Sequence, residues 1–302
     1  MEELIQKIER LKKENDFVIL AHYYVDGAVQ DIADYVGDSF YLSKVATEVE
    51  AKNILFAGVS FMGESAKLLN PEKHVYIADV TADCPMAHMV TVDRIKEVRE
   101  QYDDVAVVCY VNSTAEIKAV SDVCVTSSNA IKVVKNIKNK RIFFVPDNNL
   151  GRYVAKQLPE KEFIFNDGFC HVHKSIDPKL VAEAKEHHPD ALVLAHPECT
   201  EDVLELADYI GSTAGILDYA TESECKKFII CTEMGIFFKL SKQNPDKKFY
   251  SVGHRQFCPN MKKVSLEKVA AVMENPTEEV LLSDDIMNEA CKPLQKMLEL
   301  AK

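Results

Sequence analysis

Short apolar runs recur along the chain, among them VILA (18–21), ILFA (54–57), VAVVCYV (105–111), FFV (143–145), LVLA (192–195) and FIIC (228–231). Each run is continuous rather than alternating, so both faces of the strand it predicts are buried. That is the pattern of a parallel sheet covered by helices on both sides. Between the runs lie segments with apolar positions at helical spacing and charged residues elsewhere. The first fifteen residues belong to this class, with Leu4, Ile5, Ile8 and Leu11 on one face. They have no apolar central region of the kind a secretory signal needs, and no run in the chain reaches the length of a membrane span.

The strand and helix pattern repeats. Aligned on Asp34, Asp122 and Asp208, three stretches match at offsets of 88 and 86 residues. Twelve positions before each Asp stand His22, Tyr110 and His196; ten before stand Tyr24, Asn112 and Glu198; five after stand Ser39, Ser127 and Thr213. A second apolar run then leads to Gly63, Gly151 and Gly235, read as helix-opening glycines. A third ends near Cys84, Cys170 and Cys258, and a helix follows each cysteine, with Thr91, Ser175 and Ser265 as expected N-caps and an acid two residues on. The prediction is an α/β protein of three pseudo-threefold-related units, with parallel sheets around a central cavity. The expected units are 1–88, 89–174 and 175–262, with a helical tail, 263–302, packed on them. Ligands of such sheets bind beyond the carboxyl ends of the strands, where the repeated polar positions fall.

Composition narrows the chemistry. The net charge is −12 with no basic stripe, which argues against a nucleic-acid partner and requires any anion to be bound locally. Nine cysteines without a C-x-x-C pair predict reduced thiols in the cytoplasm, engaged in metal binding or catalysis rather than disulfides. Only Cys84, Cys170 and Cys258 obey the threefold; Cys109, Cys124, Cys199, Cys225, Cys231 and Cys291 do not. Three thiolates around one axis suit zinc with an open fourth position, or an iron–sulfur cluster with one iron free of cysteine. Their spacing does not choose between the two. Neither a P-loop nor G-x-G-x-x-G occurs, so no nucleotide cofactor is indicated.

The segments AHYY, GDS, DCPMA, YVNS, TSSNA, PDNNLG, GFCHVH, HPEC, GSTAGI, TEMG and FCPNMK resemble the quinolinate synthase family, the A protein of bacterial and archaeal NAD biosynthesis, over essentially the full length. The resemblance implies three stacked α/β/α domains and one 4Fe–4S cluster on Cys84, Cys170 and Cys258, with one open iron as Lewis acid. It implies a reaction in which iminoaspartate condenses and cyclises with dihydroxyacetone phosphate, releasing phosphate and water. By pathway it also implies a hand-over of iminoaspartate from L-aspartate oxidase or aspartate dehydrogenase.

On that reading Ser39, Ser127 and Thr213 bind carboxylate or phosphate groups at helix starts, where they also serve as caps. His22, Tyr24 and Tyr110 are candidates for proton transfer, Asn112 and Glu198 for groups facing the open iron, and His173 and His196 for carboxylate binding or acid–base work. His171 is assigned a structural role, His187 and His188 a place in solvent, and Met62, Leu150 and Met234 packing around the axis. The C-terminal C-x-x-C that some family members use as a redox switch is absent, since Leu294 stands three residues after Cys291. Two competing functions remain: a zinc-thiolate hydrolase or lyase, and a non-catalytic iron–sulfur redox sensor. The repeated hydroxyls, imidazoles and phenols favour catalysis over sensing.

Overall fold

Each copy of the repeat builds one four-stranded sheet in which every pairing is parallel. The computed structural model describes residues 1–302. The first sheet holds β1 (Phe17–His22), β2 (Tyr35–Gly37), β3 (Asn53–Ala57) and β4 (His74–Ile77) in the spatial order β2-β1-β3-β4. The second holds β5 (Val105–Tyr110), β6 (Val123–Val125), β7 (Arg141–Val145) and β8 (Glu162–Phe165), ordered β6-β5-β7-β8. The third holds β9 (Leu192–Ala195), β10 (Tyr209–Ile210), β11 (Lys227–Cys231) and β12 (Lys248–Ser251), ordered β10-β9-β11-β12. In each sheet the strand order reverses between its first and third strands. At such a switch point an open parallel sheet leaves a crevice at its carboxyl edge.

The three aspartates on which the repeats align prove to be devices of the fold. Asp34 accepts the Ile19 N–H at 2.8 Å, Asp122 that of Val107 at 2.7 Å and Asp208 that of Val193 at 2.8 Å. The N–H of each Asp donates back to the carbonyl of the same strand residue, so the clasp sets where the second strand joins the first. Each carboxylate also meets a cation from the helix before the first strand of its unit: Lys12 at 2.8 Å, Arg99 at 2.8 Å and Lys185 at 3.7 Å. These pairs are partly exposed and contribute little energy, but they set the docking of helix on strand.

Packing is less symmetric than the repeat. The first two sheets and the C-terminal helices share one core cluster of 62 buried residues, whereas the third sheet carries separate clusters of 10 and 9. Helix Asp284–Leu300 lies against helix Ala115–Ala119 and β6, and helix Leu266–Glu274 lies against the N-terminal helix Glu2–Glu14. Lys7 to Glu274 at 2.8 Å and the Asn15 side-chain amide to the Met273 carbonyl at 3.0 Å fasten the latter pair. No helix is long and apolar enough to cross a membrane.

Several local expectations need correction. Thr91 and Ser265 cap their helices, but Ser175 does not, because Asp177 takes that place with Pro178 following as the first helical residue. Gly63 and Gly151 stand in the first turn of their helices rather than opening them, and only Gly235 is an N-cap. Met234 is exposed, unlike the buried Met62 and Leu150, and His188 stacks on Tyr250 with ring centroids 3.6 Å apart.

Candidate active site

Residues at and beyond the ends of strands from all three sheets line one cavity. His22, Tyr24, Ser39, Tyr110, Asn112, Ser127, His173, His196, Glu198 and Thr213 all line it, together with Cys84, Cys170 and Cys258. None of the other six cysteines does. His171, expected to be structural, is also on the cavity wall.

The hydroxyls at the second strand of each unit are not caps. Asp38 accepts the Tyr41 N–H to cap helix Ser39–Glu48, and Ser212 accepts the Gly215 N–H to cap helix Thr213–Glu222. Ser127 precedes helix Ala130–Lys135 altogether. Because a neighbour satisfies the helix end, the Ser39 and Thr213 side chains are free to face the cavity.

The repeat also fixes two imidazole tautomers. His22 Nδ1 accepts the Tyr24 N–H at 3.2 Å, and His196 Nδ1 accepts the Glu198 N–H at 3.3 Å. With Nδ1 an acceptor, the proton of each neutral ring sits on Nε2, and that of His196 is aimed at the Ser127 hydroxyl at 3.1 Å. Burial pushes both imidazoles down to about 3, against the opposing charge of Glu198, so both are neutral at physiological pH.

A chain of hydrogen bonds beside the cavity joins residues of all three units. The Tyr24 hydroxyl meets Thr213 Oγ1 and Thr232 Oγ1, each at 2.7 Å. Thr232 Oγ1 meets His173 Nε2 at 2.8 Å, and His173 Nδ1 reaches Glu198 Oε2 at 2.7 Å. Burial opposes ionisation of Glu198, but His173, His196 and the Tyr110 phenol together hold its carboxyl down at about 2. Burial, reinforced by the Glu198 charge, pushes both Tyr24 and Tyr110 well above their ordinary range, so each keeps its proton. The site thus holds the Glu198 carboxylate beside phenols that keep their protons and the neutral imidazoles of His22 and His196. Gly235 is required at the joint, because a Cβ there would lie 2.6 Å from the Tyr23 carbonyl oxygen and from Tyr24 Cα.

The same cavity wall carries three free, half-buried thiols. Burial pushes Cys84 up to about 12, Cys170 well above its ordinary value and Cys258 upward, and nearby negative groups add to each. Thiols so placed ionise only beside a cation, so the donor set fits a metal group held by all three. Cys170, His173 and Glu198 also bring donor atoms within 4.8 Å of one another, a second set with metal-ligand chemistry. Asn112 Oδ1 is buried without a partner, an acceptor left for a ligand.

Sequence reasoning missed Thr232 in the relay. Its counterparts one residue past the third strand of the other units are Gly58 and Pro146, so no repeated residue type marks the position.

The two depressed imidazoles predict acid sensitivity. In the unfolded chain they take up protons near 6.5, whereas in the folded chain they resist until about 3, so stability is intact above 6.5 and is lost as pH falls toward 3. Glu198, held low, adds a loss below its ordinary 4.5 in the same direction. Between pH 7 and pH 5 the two histidines together cost the metal-free chain about 4 kcal/mol. Urea unfolding at the two pH values measures this, with His196→Gln removing about half of the difference. A pH-independent transition midpoint contradicts it.

A family model described as quinolinate synthetase A protein matches residues 6–299. The quinolinate synthase of Fusobacterium nucleatum subsp. nucleatum is 55% identical over 98% of this chain and 98% of its own length. That of Caldicellulosiruptor saccharolyticus is 49% identical over 100% of this chain and 99% of its own, and that of Clostridioides difficile 47% over 99% of each. Coverage of nearly the whole length on both sides and overall identity near one half leave one assignment: the chain belongs to the quinolinate synthetase A protein family.

Proposed function

We propose that this chain is an enzyme that condenses iminoaspartate with dihydroxyacetone phosphate and closes the product to quinolinate, releasing phosphate and water. The observation that carries the reading is one cavity lined both by Cys84, Cys170 and Cys258 and by Tyr24, His173, Glu198 and Thr213 of the hydrogen-bonded relay. We assign Cys84, Cys170 and Cys258 as ligands of a 4Fe–4S cluster, which when bound supplies a Lewis-acidic iron that assists loss of hydroxyl groups as water.

The chain's own residues do the rest. Ser39, Ser127 and Thr213 offer hydroxyls from three directions to a dicarboxylate and a phosphate, and Asn112 adds the unpartnered amide oxygen. The Nε2–H groups of His22 and His196 donate to anionic oxygens without adding net charge. Glu198 is the base, removing the carbon-bound proton that separates imine from enamine, and His173 orients its carboxylate. Tyr24 and Tyr110 hold protons that they return to substrate oxygens, Tyr24 being recharged through Thr232 from His173. A reaction with this many proton transfers needs both kinds of group near neutral pH.

One substitution tests binding apart from the metal site. Thr213→Val removes one Tyr24 partner and one anion contact; KM for the triose phosphate is expected to rise about tenfold, the cost of one such hydrogen bond, with iron content unchanged. An unchanged KM makes the residue a packing group. Anaerobic incubation with both substrates, read as quinolinate by chromatography, tests the reading as a whole, and no product from iron-replete protein would refute it. A zinc enzyme is the second reading, favoured by the compact Cys170, His173 and Glu198 set; the metal count described below separates the two.

A further inference from the structure

In every unit a carboxylate accepts the backbone N–H of the cysteine that faces the cavity. Asp83 Oδ1 takes the Cys84 N–H at 2.8 Å, Asp147 Oδ2 that of Cys170 at 3.1 Å, and Glu233 Oε1 that of Cys258 at 3.1 Å. Each carboxylate also grips the beginning of the helix that follows the third strand. Asp147 Oδ1 accepts the Leu150 N–H at 2.7 Å, Glu233 Oε2 accepts the Gly235 N–H at 2.5 Å, and Asp83 Oδ1 accepts the Ser60 hydroxyl at 2.5 Å. The cysteine loop after the fourth strand is thereby tied to the helix start after the third, three times over.

Asp147 and Glu233 stand at the same place, two residues beyond β7 and β11, and both are fully buried. The first unit has Val59 at that place and reaches the same tie through Ser60 and Asp83. A buried carboxylate is costly to keep, and one without a structural or catalytic task is rarely retained. Neither Asp147 nor Glu233 enters the relay. Two different residue types at one place, and a third construction in the first unit, arrive at one bond, so the bond to the cysteine N–H is what the three units share.

We propose that Asp147 and Glu233, with Asp83 in the first unit, are positioning residues that hold Cys170, Cys258 and Cys84 in place as ligands. This rests on the reading of those cysteines as cluster ligands. The loops bearing them are irregular, and the carboxylates supply the stiffness that regular structure does not. At Asp147 and Glu233, whose two oxygens each take one N–H, an amide keeps one acceptor oxygen and turns an NH₂ group toward the second N–H; Asp83 makes both ties through Oδ1, so its side chain must be removed to break them.

The test uses the full-length chain in two states. With metal removed, alkylation by iodoacetamide is followed cysteine by cysteine by mass spectrometry. Glu233→Gln is expected to speed labelling of Cys258 about tenfold, the loss of one buried hydrogen bond, with Cys84 and Cys170 within about twofold of wild type. Asp147→Asn should do the same at Cys170 alone. Asp83→Ala, on a half-exposed side chain, should do so at Cys84 alone. In the iron-loaded protein each variant should release iron to a chelator about tenfold faster. Labelling at wild-type rates overturns the proposal, and so does an equal rise at all three cysteines, which is general loosening. Wild-type protein that holds no iron overturns the ligand assignment instead, a result the labelling arm reads independently.

Discussion

Cys170→Ser is expected to lose iron and quinolinate formation together, retaining less than about a tenth of either, while Cys225→Ser keeps both. Serine matches the thiol in size, so the loop survives, but a hydroxyl ionises far less readily than a thiol and is a poor iron ligand. Cys170 faces the cavity and touches His173 Nδ1 at 3.2 Å, so it belongs to the thiol set and to the edge of the relay at once. Cys225 lies outside the cavity, its sulfur directed to the Lys227 carbonyl at 3.2 Å. Iron analysis and anaerobic product assay on both variants decide the matter. Equal behaviour would mean that the threefold does not separate ligands from incidental thiols.

Glu198→Gln should lower turnover by about 10²–10⁴-fold, the range for removing a general base, with iron content near wild type. Glu198 is fully buried, yet it is the group in the relay that His173 holds ionised. An amide accepts hydrogen bonds but takes no proton, so the phenols beside it would have no base to work against. A rate within tenfold of wild type would remove Glu198 from the chemistry. Loss of iron in the same variant would place it among the metal ligands with Cys170 and His173, a role its position also allows.

Much of this was legible in the sequence because the repeat carries both fold and site. Continuous apolar runs marked the buried parallel strands, and the offsets brought His22, Tyr110 and His196 to equivalent strand ends. The aspartates that aligned best turned out to clasp strand to strand, so the strongest signal of the repeat was structural while the site lay at positions measured from it. What stayed hidden lacked a repeated residue type. Thr232 has Gly58 and Pro146 as counterparts, and Asp147 and Glu233 share their place with Val59, so no common letter pointed to them. Caps were misplaced by one or two residues where a neighbouring Asp or Ser, as at Asp38, Ser212 and Asp177, takes the helix end. The division of the core, with the third sheet packed separately, depends on how the C-terminal helices dock, and local patterning carries no record of that.

The most direct measurement is a count of iron, acid-labile sulfide and zinc per chain after anaerobic purification. A 4Fe–4S cluster on Cys84, Cys170 and Cys258 predicts about four iron and four sulfide per chain with little zinc. One zinc per chain without sulfide would contradict it.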